Sequence, residues 1–200
     1  MLVIAATVVW EARAQDDLYG PTAPPDAAWV RAINAEAAGG LGVRVADGPL
    51  TSLAFGDASA YQVVSPGSVT VDLGGVLHEL EVEANAFLSV VASSDGMRII
   101  DDAVLLDVSR GLLALYNLTA EEALDLGVVD GPDVVVGVGP WSQAAMLVAE
   151  AEVALEVRSG AVVVGVLEAR VFERGVAHSV LVVEGPDGLQ VRYVAAVAAE

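Results

Sequence analysis

Short apolar alternations run through most of the chain. Val69, Val71 and Leu73 alternate with Ser68, Thr70 and Asp72. Val153, Leu155 and Val157 alternate with Ala154, Glu156 and Arg158. Val76, His78, Leu80 and Val82 fall on one parity, and Glu79, Glu81 and Glu83 on the other. A period of two with one apolar face predicts strands packed against a core on one side. The prolines and most glycines fall between these runs, where turns need them. Leu118–Leu126 could pass for a helical turn, but its counterpart earlier in the chain, from Ala35, carries Gly39-Gly40. A turn leading into a strand is the better common reading.

That counterpart belongs to an internal repeat. Trp29–Pro49 aligns without a gap on Leu112–Pro132: Asn34 falls on Asn117, Leu41 on Leu124, Val45 on Val128, and Asp47-Gly48-Pro49 on Asp130-Gly131-Pro132. Further on, the segment from Phe87 resembles the segment from Ser179, each an apolar strand entering an Asp-Gly turn and leaving as a second strand. A repeat of this length is too long for a solenoid unit and suits a small β-sandwich. The predicted fold is all-β: two tandem small β-sandwich (Ig-like) domains related by the repeat. The predicted divisions are 1–14 signal peptide, 15–25 proline-rich arm, 26–100 first domain, 101–110 linker and 111–200 second domain. The linker holds Val104-Leu105-Leu106 between acids, an apolar trio expected to pack on a domain and limit relative motion. Domains this small bury only ~60–65% of their unfolded surface, so contact between the halves is expected to matter for stability.

Charge narrows the function. There are 28 acids against nine basic residues, all arginine, for a net charge of -19. Such a chain repels nucleic acid and anionic lipid, and direct binding of an anionic polymer is disfavoured. The acids serve solubility or steer a basic partner protein. The chain has no cysteine, which excludes disulfides, thiolate metal sites and cysteine nucleophiles. Leu2–Trp10 followed by Ala12-Arg13-Ala14 has the form of a short signal-peptide core and an A-x-A cleavage site, though without a positive n-region. It implies export, with a mature chain from about Gln15.

Candidate chemistry is sparse. His78 and His178 both read as partly buried structural side chains. Gly56-Asp57-Ala58-Ser59-Ala60 is superficially similar to the Gly-Asp-Ser block of SGNH esterases, but Ala58 stands where the serine should be, and the Asp-x-x-His block is absent because Gly175 lies three before His178. No G-x-S-x-G elbow occurs. Catalytic, cofactor and metal sites are therefore not expected. The turns Asp130–Asp133 and Glu184–Gly188 could offer oxygen ligands to Ca²⁺, short of a dedicated loop's ligand count; hairpin turn chemistry explains both. Tyr19, Tyr61, Trp141 and Phe172 lie near turns and either anchor an interface or cover a core edge.

The segment Asp16–Ala35 carries the most specific signal. Leu18, Tyr19, Gly20, Pro21, Ala23 and Pro24 are followed by Val30, Arg31, Asn34 and Ala35. This order resembles the start of the mature AlgF family, periplasmic accessory proteins of alginate O-acetylation. Asn117, Leu118 and Thr119 fit that family's second Asn-Leu-Ser/Thr strand. The resemblance implies a non-catalytic periplasmic adaptor of two β-sandwiches. Its implied partners are periplasmic SGNH-type acetyltransferases and a membrane-bound O-acyltransferase, and the modified polymer is an exopolysaccharide such as alginate. The strong acidity and absence of lysine depart from the family's pattern. Pro21, Pro24 and Pro25 fix φ and favour an extended, prestiffened path, which loses less entropy on docking. Asp17, Leu18, Tyr19, Gly20, Pro21 and Pro24 are the expected partner-binding residues, with self-packing on the first domain as the other outcome. An extracellular carbohydrate- or calcium-binding sandwich module is the alternative function.

Overall fold

The structure, a computed structural model, describes residues 23–36, 39–104, 107 and 109–196. The predicted signal peptide and the arm residues Asp17, Leu18, Tyr19, Gly20 and Pro21 lie outside the described residues, as do Leu105 and Leu106 of the linker.

The first half comprises β1 (Ala28–Asn34), β2 (Leu41–Val45), β3 (Thr51–Leu53), β4 (Gln62–Val64), β5 (Gly67–Leu73), β6 (Val76–Val82), β7 (Phe87–Ser93) and β8 (Gly96–Asp101). The second comprises β9 (Gly111–Leu118), β10 (Leu124–Val128), β11 (Asp133–Val138), β12 (Ser142–Val148), β13 (Ala151–Ser159), β14 (Val162–Phe172), β15 (Ala177–Gly185) and β16 (Gly188–Ala196). The first half forms sheets ordered β4-β1-β7-β8 and β3-β2-β5-β6; the second repeats both orders as β12-β9-β15-β16 and β11-β10-β13-β14. The chain is two tandem β-sandwiches built on one plan.

The repeat holds at the level of register. Trp29 pairs with Phe87 in the parallel β1–β7 ladder, and Leu112 pairs with Ala177 in the parallel β9–β15 ladder. β15 has nine residues against seven in β7, so the second hairpin is two residues longer. The sequence match of Phe87 with Ser179 is therefore correct at the turn, where Gly96 and Gly188 both take positive φ, and slips by two at the strand start. A slip of two preserves the faces. Asn34 and Asn117 repeat for one reason. The Asn34 amide donates to the carbonyls of Gly39 and Leu53, each at 3.1 Å, and that of Asn117 to those of Glu121 (2.8 Å) and Val138 (3.1 Å). Each asparagine fastens a turn and the third strand of its half to a buried first strand. The turns after β10 and β15 are hairpin connections, and no group of three or more histidines and carboxylates converges among the described residues.

Each sandwich has its own core. Val30, Ala32, Leu88 and Val90 meet Val43, Val71 and Leu80 in the first, and Leu113, Leu115, Val180 and Val182 meet Leu126, Leu155 and Val157 in the second. A third cluster joins the halves: Ile33, Val91 and Ile100 pack with Ala114, Tyr116, Leu118, Leu181 and Val183. These residues have the opposite parity on β1, β7, β9 and β15. The sheets carrying those strands are thus covered on both faces, giving four layers with the β1 and β9 sheets innermost. Double coverage explains why β1 and β9 read as nearly continuous apolar runs while β5 and β6 alternate.

Candidate functional site

The inner face of β1 is apolar except at Arg31, whose neighbours Val30 and Ala32 point into the first core. Arg31 therefore projects between the sandwiches and is 1% exposed. A buried guanidinium needs an opposite charge and hydrogen-bond acceptors. Its Nε donates to Ser89 Oγ at 2.8 Å and its Nη2 to Ser179 Oγ at 3.3 Å. Those serines occupy equivalent places on β7 and β15, so one arginine is held by the same position of both repeats. The countercharge is Asp102, just after β8, with its carboxylate 4.0 Å from Arg31 Nε and its side chain 1% exposed. Three hydroxyls donate to that carboxylate: Tyr61 at 2.5 Å, Ser89 at 2.7 Å and Tyr116 at 2.6 Å. Both tyrosine rings also lie against the guanidinium, at 4.7 Å for Tyr61 and 5.0 Å for Tyr116 from ring centroid to Cζ. Burial raises the pKa of both hydroxyls above the usual tyrosine range, keeping them as donors.

The cluster spans the halves. Arg31, Tyr61, Ser89 and Asp102 come from the first or its end, and Tyr116 and Ser179 from the second. Around it, Arg98 of β8 stacks over Trp141 of the second half at 4.2 Å, and the Ala103 amide donates to Gln143 Oε1 at 2.9 Å. Arg31 Nη1 finds no hydrogen-bond partner among the described residues. Arg31 borders a cavity of about 140 Å³ between the sandwiches, also lined by Tyr116, Ser179, Gln143, Leu112 and Ala177.

His178 lies beside this cavity with its ring turned toward the second core, 4.9 Å from Phe172. Its Nε2 faces the Glu173 carbonyl at 3.4 Å, an acceptor, so Nε2 carries the proton and Nδ1 accepts from the Tyr193 hydroxyl at 2.6 Å. Burial lowers its pKa below the ordinary histidine value, favouring that neutral form. His78 is half-buried on β6. Ser59, next to the esterase-like block, is structural: its Oγ accepts from the Ala32 amide at 3.0 Å and donates to the Ala60 carbonyl at 2.9 Å.

Of the expected partner-binding residues, Pro24 alone is described; its carbonyl accepts from the Ala27 amide at 3.0 Å and so starts the turn into β1. Of the four candidate interface aromatics, Tyr19 lies outside the described residues and the other three pack inward. Phe172 is 2% exposed in the second core, Trp141 packs between the halves, and Tyr61 joins the buried cluster. Sequence reasoning missed the cluster itself, with Arg31 entering only as a matched position and Asp102 only as a linker acid. The available signal was an arginine inside a run apolar on both parities.

Fold and site define a class: a tandem β-sandwich protein whose halves are joined face to face by a buried polar cluster. The family model described as "Alginate O-acetyl transferase AlgF" matches residues 2–179, and the chain belongs to the AlgF family. It is 31% identical over 127 residues to the alginate biosynthesis protein AlgF of Pseudomonas aeruginosa, an overlap covering 62% of this chain and 58% of that protein. The chain thus spans less than two thirds of that relative's length. A solved structure of the C-terminal domain of AlgF from P. aeruginosa is 27% identical with a TM-score of 0.40, covering 44% of this chain and 98% of that one.

Proposed function

We propose that the chain is a non-catalytic periplasmic adaptor for O-acetylation of an exopolysaccharide, alginate or a similar polymer. Family membership supplies the process. In this reading the arm residues Asp17, Leu18, Tyr19, Gly20, Pro21 and Pro24 engage an SGNH-type acetyltransferase, and the membrane-bound acyltransferase is a second partner. The acidic surface favours basic patches on those proteins over the anionic polymer itself. The observation that carries the non-catalytic part is the disposition of the histidines. His178 spends both ring nitrogens on Tyr193 and a backbone carbonyl, and no hydrogen bond joins either histidine to a serine or a carboxylate among the described residues. A histidine-activated serine nucleophile for acyl transfer uses that contact.

The test is a clean deletion complemented with the wild-type chain or with a Leu18→Ala, Tyr19→Ala variant. Deletion lowers the acetyl content of the secreted polymer without stopping its synthesis. The arm variant fails to restore acetylation and no longer co-purifies with the acetyltransferase. Unchanged acetylation in the deletion strain overturns the process assignment. Turnover of an acetyl ester by the purified protein, lost on His178→Ala, overturns the adaptor assignment.

A further inference from the structure

The cavity beside Arg31 presents an unusual combination of groups. Arg31 Nη1 is a buried donor with no acceptor among the described residues. The Ser179 Oγ accepts from Arg31 Nη2, and no described acceptor takes its own O–H. Gln143 uses its Oε1 for the Ala103 amide, and its Nε2 donates to no described group. The unspent polar capacity around this space therefore includes three donor groups. The rest of the wall is aliphatic, with Leu112, Ala114 and Ala177 among it. Leaving a buried donor unpaired costs free energy comparable to a lost hydrogen bond.

We infer that this cleft between the sandwiches binds a short, uncharged acyl group, its carbonyl oxygen accepting from Arg31 Nη1 and Ser179 Oγ and its alkyl end resting on Leu112 and Ala177. Size fits: a cavity of roughly 150 Å³ accommodates a benzene-sized molecule, and this one has about 140 Å³. Charge selects the neutral form. The guanidinium is already matched by Asp102, so a carboxylate ligand would leave a buried net negative charge, whereas an ester or amide carbonyl satisfies the donors without adding one. The inference rests on the geometry of the cleft and stands whether or not the adaptor reading holds.

The test is an NMR titration of the ¹⁵N-labelled full chain, following the Arg31 Nε–H signal and the amides around Ser179 and Gln143. Methyl acetate and N-methylacetamide are the neutral probes, and sodium acetate at matched ionic strength is the charged one. The neutral probes give saturable shifts confined to the cleft, and acetate binds about tenfold or more weakly. Ala177→Leu, at a half-buried wall position, fills the space and abolishes the shifts while the remaining spectrum keeps its dispersion. Ser179→Ala weakens ester binding through loss of one donor. Shifts that grow linearly without saturating, that survive Ala177→Leu, or that are matched by acetate overturn the inference; a cleft holding only water gives the first of these.

Discussion

Removing Asp102 tests how the two sandwiches are held. In Asp102→Ala the Tyr61, Ser89 and Tyr116 hydroxyls lose their acceptor, and Arg31 keeps its charge in a site with 1% exposure. Breaking a buried pair by deleting one member costs about 3–5 kcal/mol, since the other charge stays desolvated. Loss of a single ordinary hydrogen bond would cost only about 1 kcal/mol, so a fall in this range reports the stranded guanidinium together with the three bonds to the carboxylate. For a chain of this size each kcal/mol moves the melting temperature by about 2–4 °C, so a drop of about 6–20 °C is expected. Arg31→Met removes the cation and leaves the carboxylate with its three donors, so it costs less. The double variant Arg31→Met, Asp102→Ala leaves no unpaired charge and recovers part of the loss, with a coupling energy of about 1–3 kcal/mol. Thermal and urea unfolding followed by tryptophan fluorescence measure all three, with Trp141 sitting at the joint. An Asp102→Ala cost under about 1 kcal/mol with strictly additive double-variant data would contradict a buried charge pair that holds the joint. The pair would then be incidental to holding the halves together.

Asn34→Ala and Asn117→Ala each strip two carbonyls of a donor, and urea unfolding should show losses of about 1–3 kcal/mol, the larger for Asn117→Ala because the Thr119 hydroxyl also loses its acceptor. His178 stays neutral in the fold because burial depresses its pKa, while the unfolded side chain protonates near its ordinary value of about 6.5. Its contribution is present in full above that value and is lost as pH falls toward the lower native pKa. The wild-type advantage over His178→Phe in melting temperature should therefore shrink below about pH 6.5; an advantage that widens there contradicts the neutral, Tyr193-accepting tautomer. With a net charge of -19 and exposed acids such as Glu79, Glu81 and Glu83, melting temperature should rise from low to moderate NaCl.

Much of the fold was legible because a single-faced strand writes its own period. β5, β6 and β13 alternate in the sequence and bury the expected parity. The Asn-to-Asp-Gly-Pro repeat located β1, β2 and their counterparts in register. Less legible was anything set by pairing between distant strands. A parallel β1–β7 ladder leaves no local trace, unlike a hairpin with its turn residues. The face-to-face joint was hidden for a related reason. Strands covered on both sides lose alternation, and their apolar runs do not say which side meets which partner. Asp102 was the least visible, since a carboxylate beside Asp101 in an acidic connector looks like solvated charge. Burial of one acid and exposure of its neighbour follow from strand parity carried past the end of β8, where Ile100 and Asp102 share a direction.

The joint also explains why the halves are similar without being interchangeable. Arg31 and Ala114 are the same position of the repeat, as are Ile33 and Tyr116, and Ser89 and Ser179. Had both repeats kept an arginine there, two guanidiniums would be buried against one another, and one carboxylate could match only one of them. With alanine in the second half, a single cation is shared by the equivalent serines of both halves, and Tyr116, at the position Ile33 holds in the first half, donates to Asp102. The same substitution leaves space, because Ala114 is part of the wall of the cavity beside Arg31. The alanine at position 114 thus avoids a second buried cation and leaves room for the cleft. A partner that touches both outer sheets meets surfaces whose separation is set by this buried cluster, so Asp102→Ala should weaken binding to such a partner without removing any residue of either outer sheet.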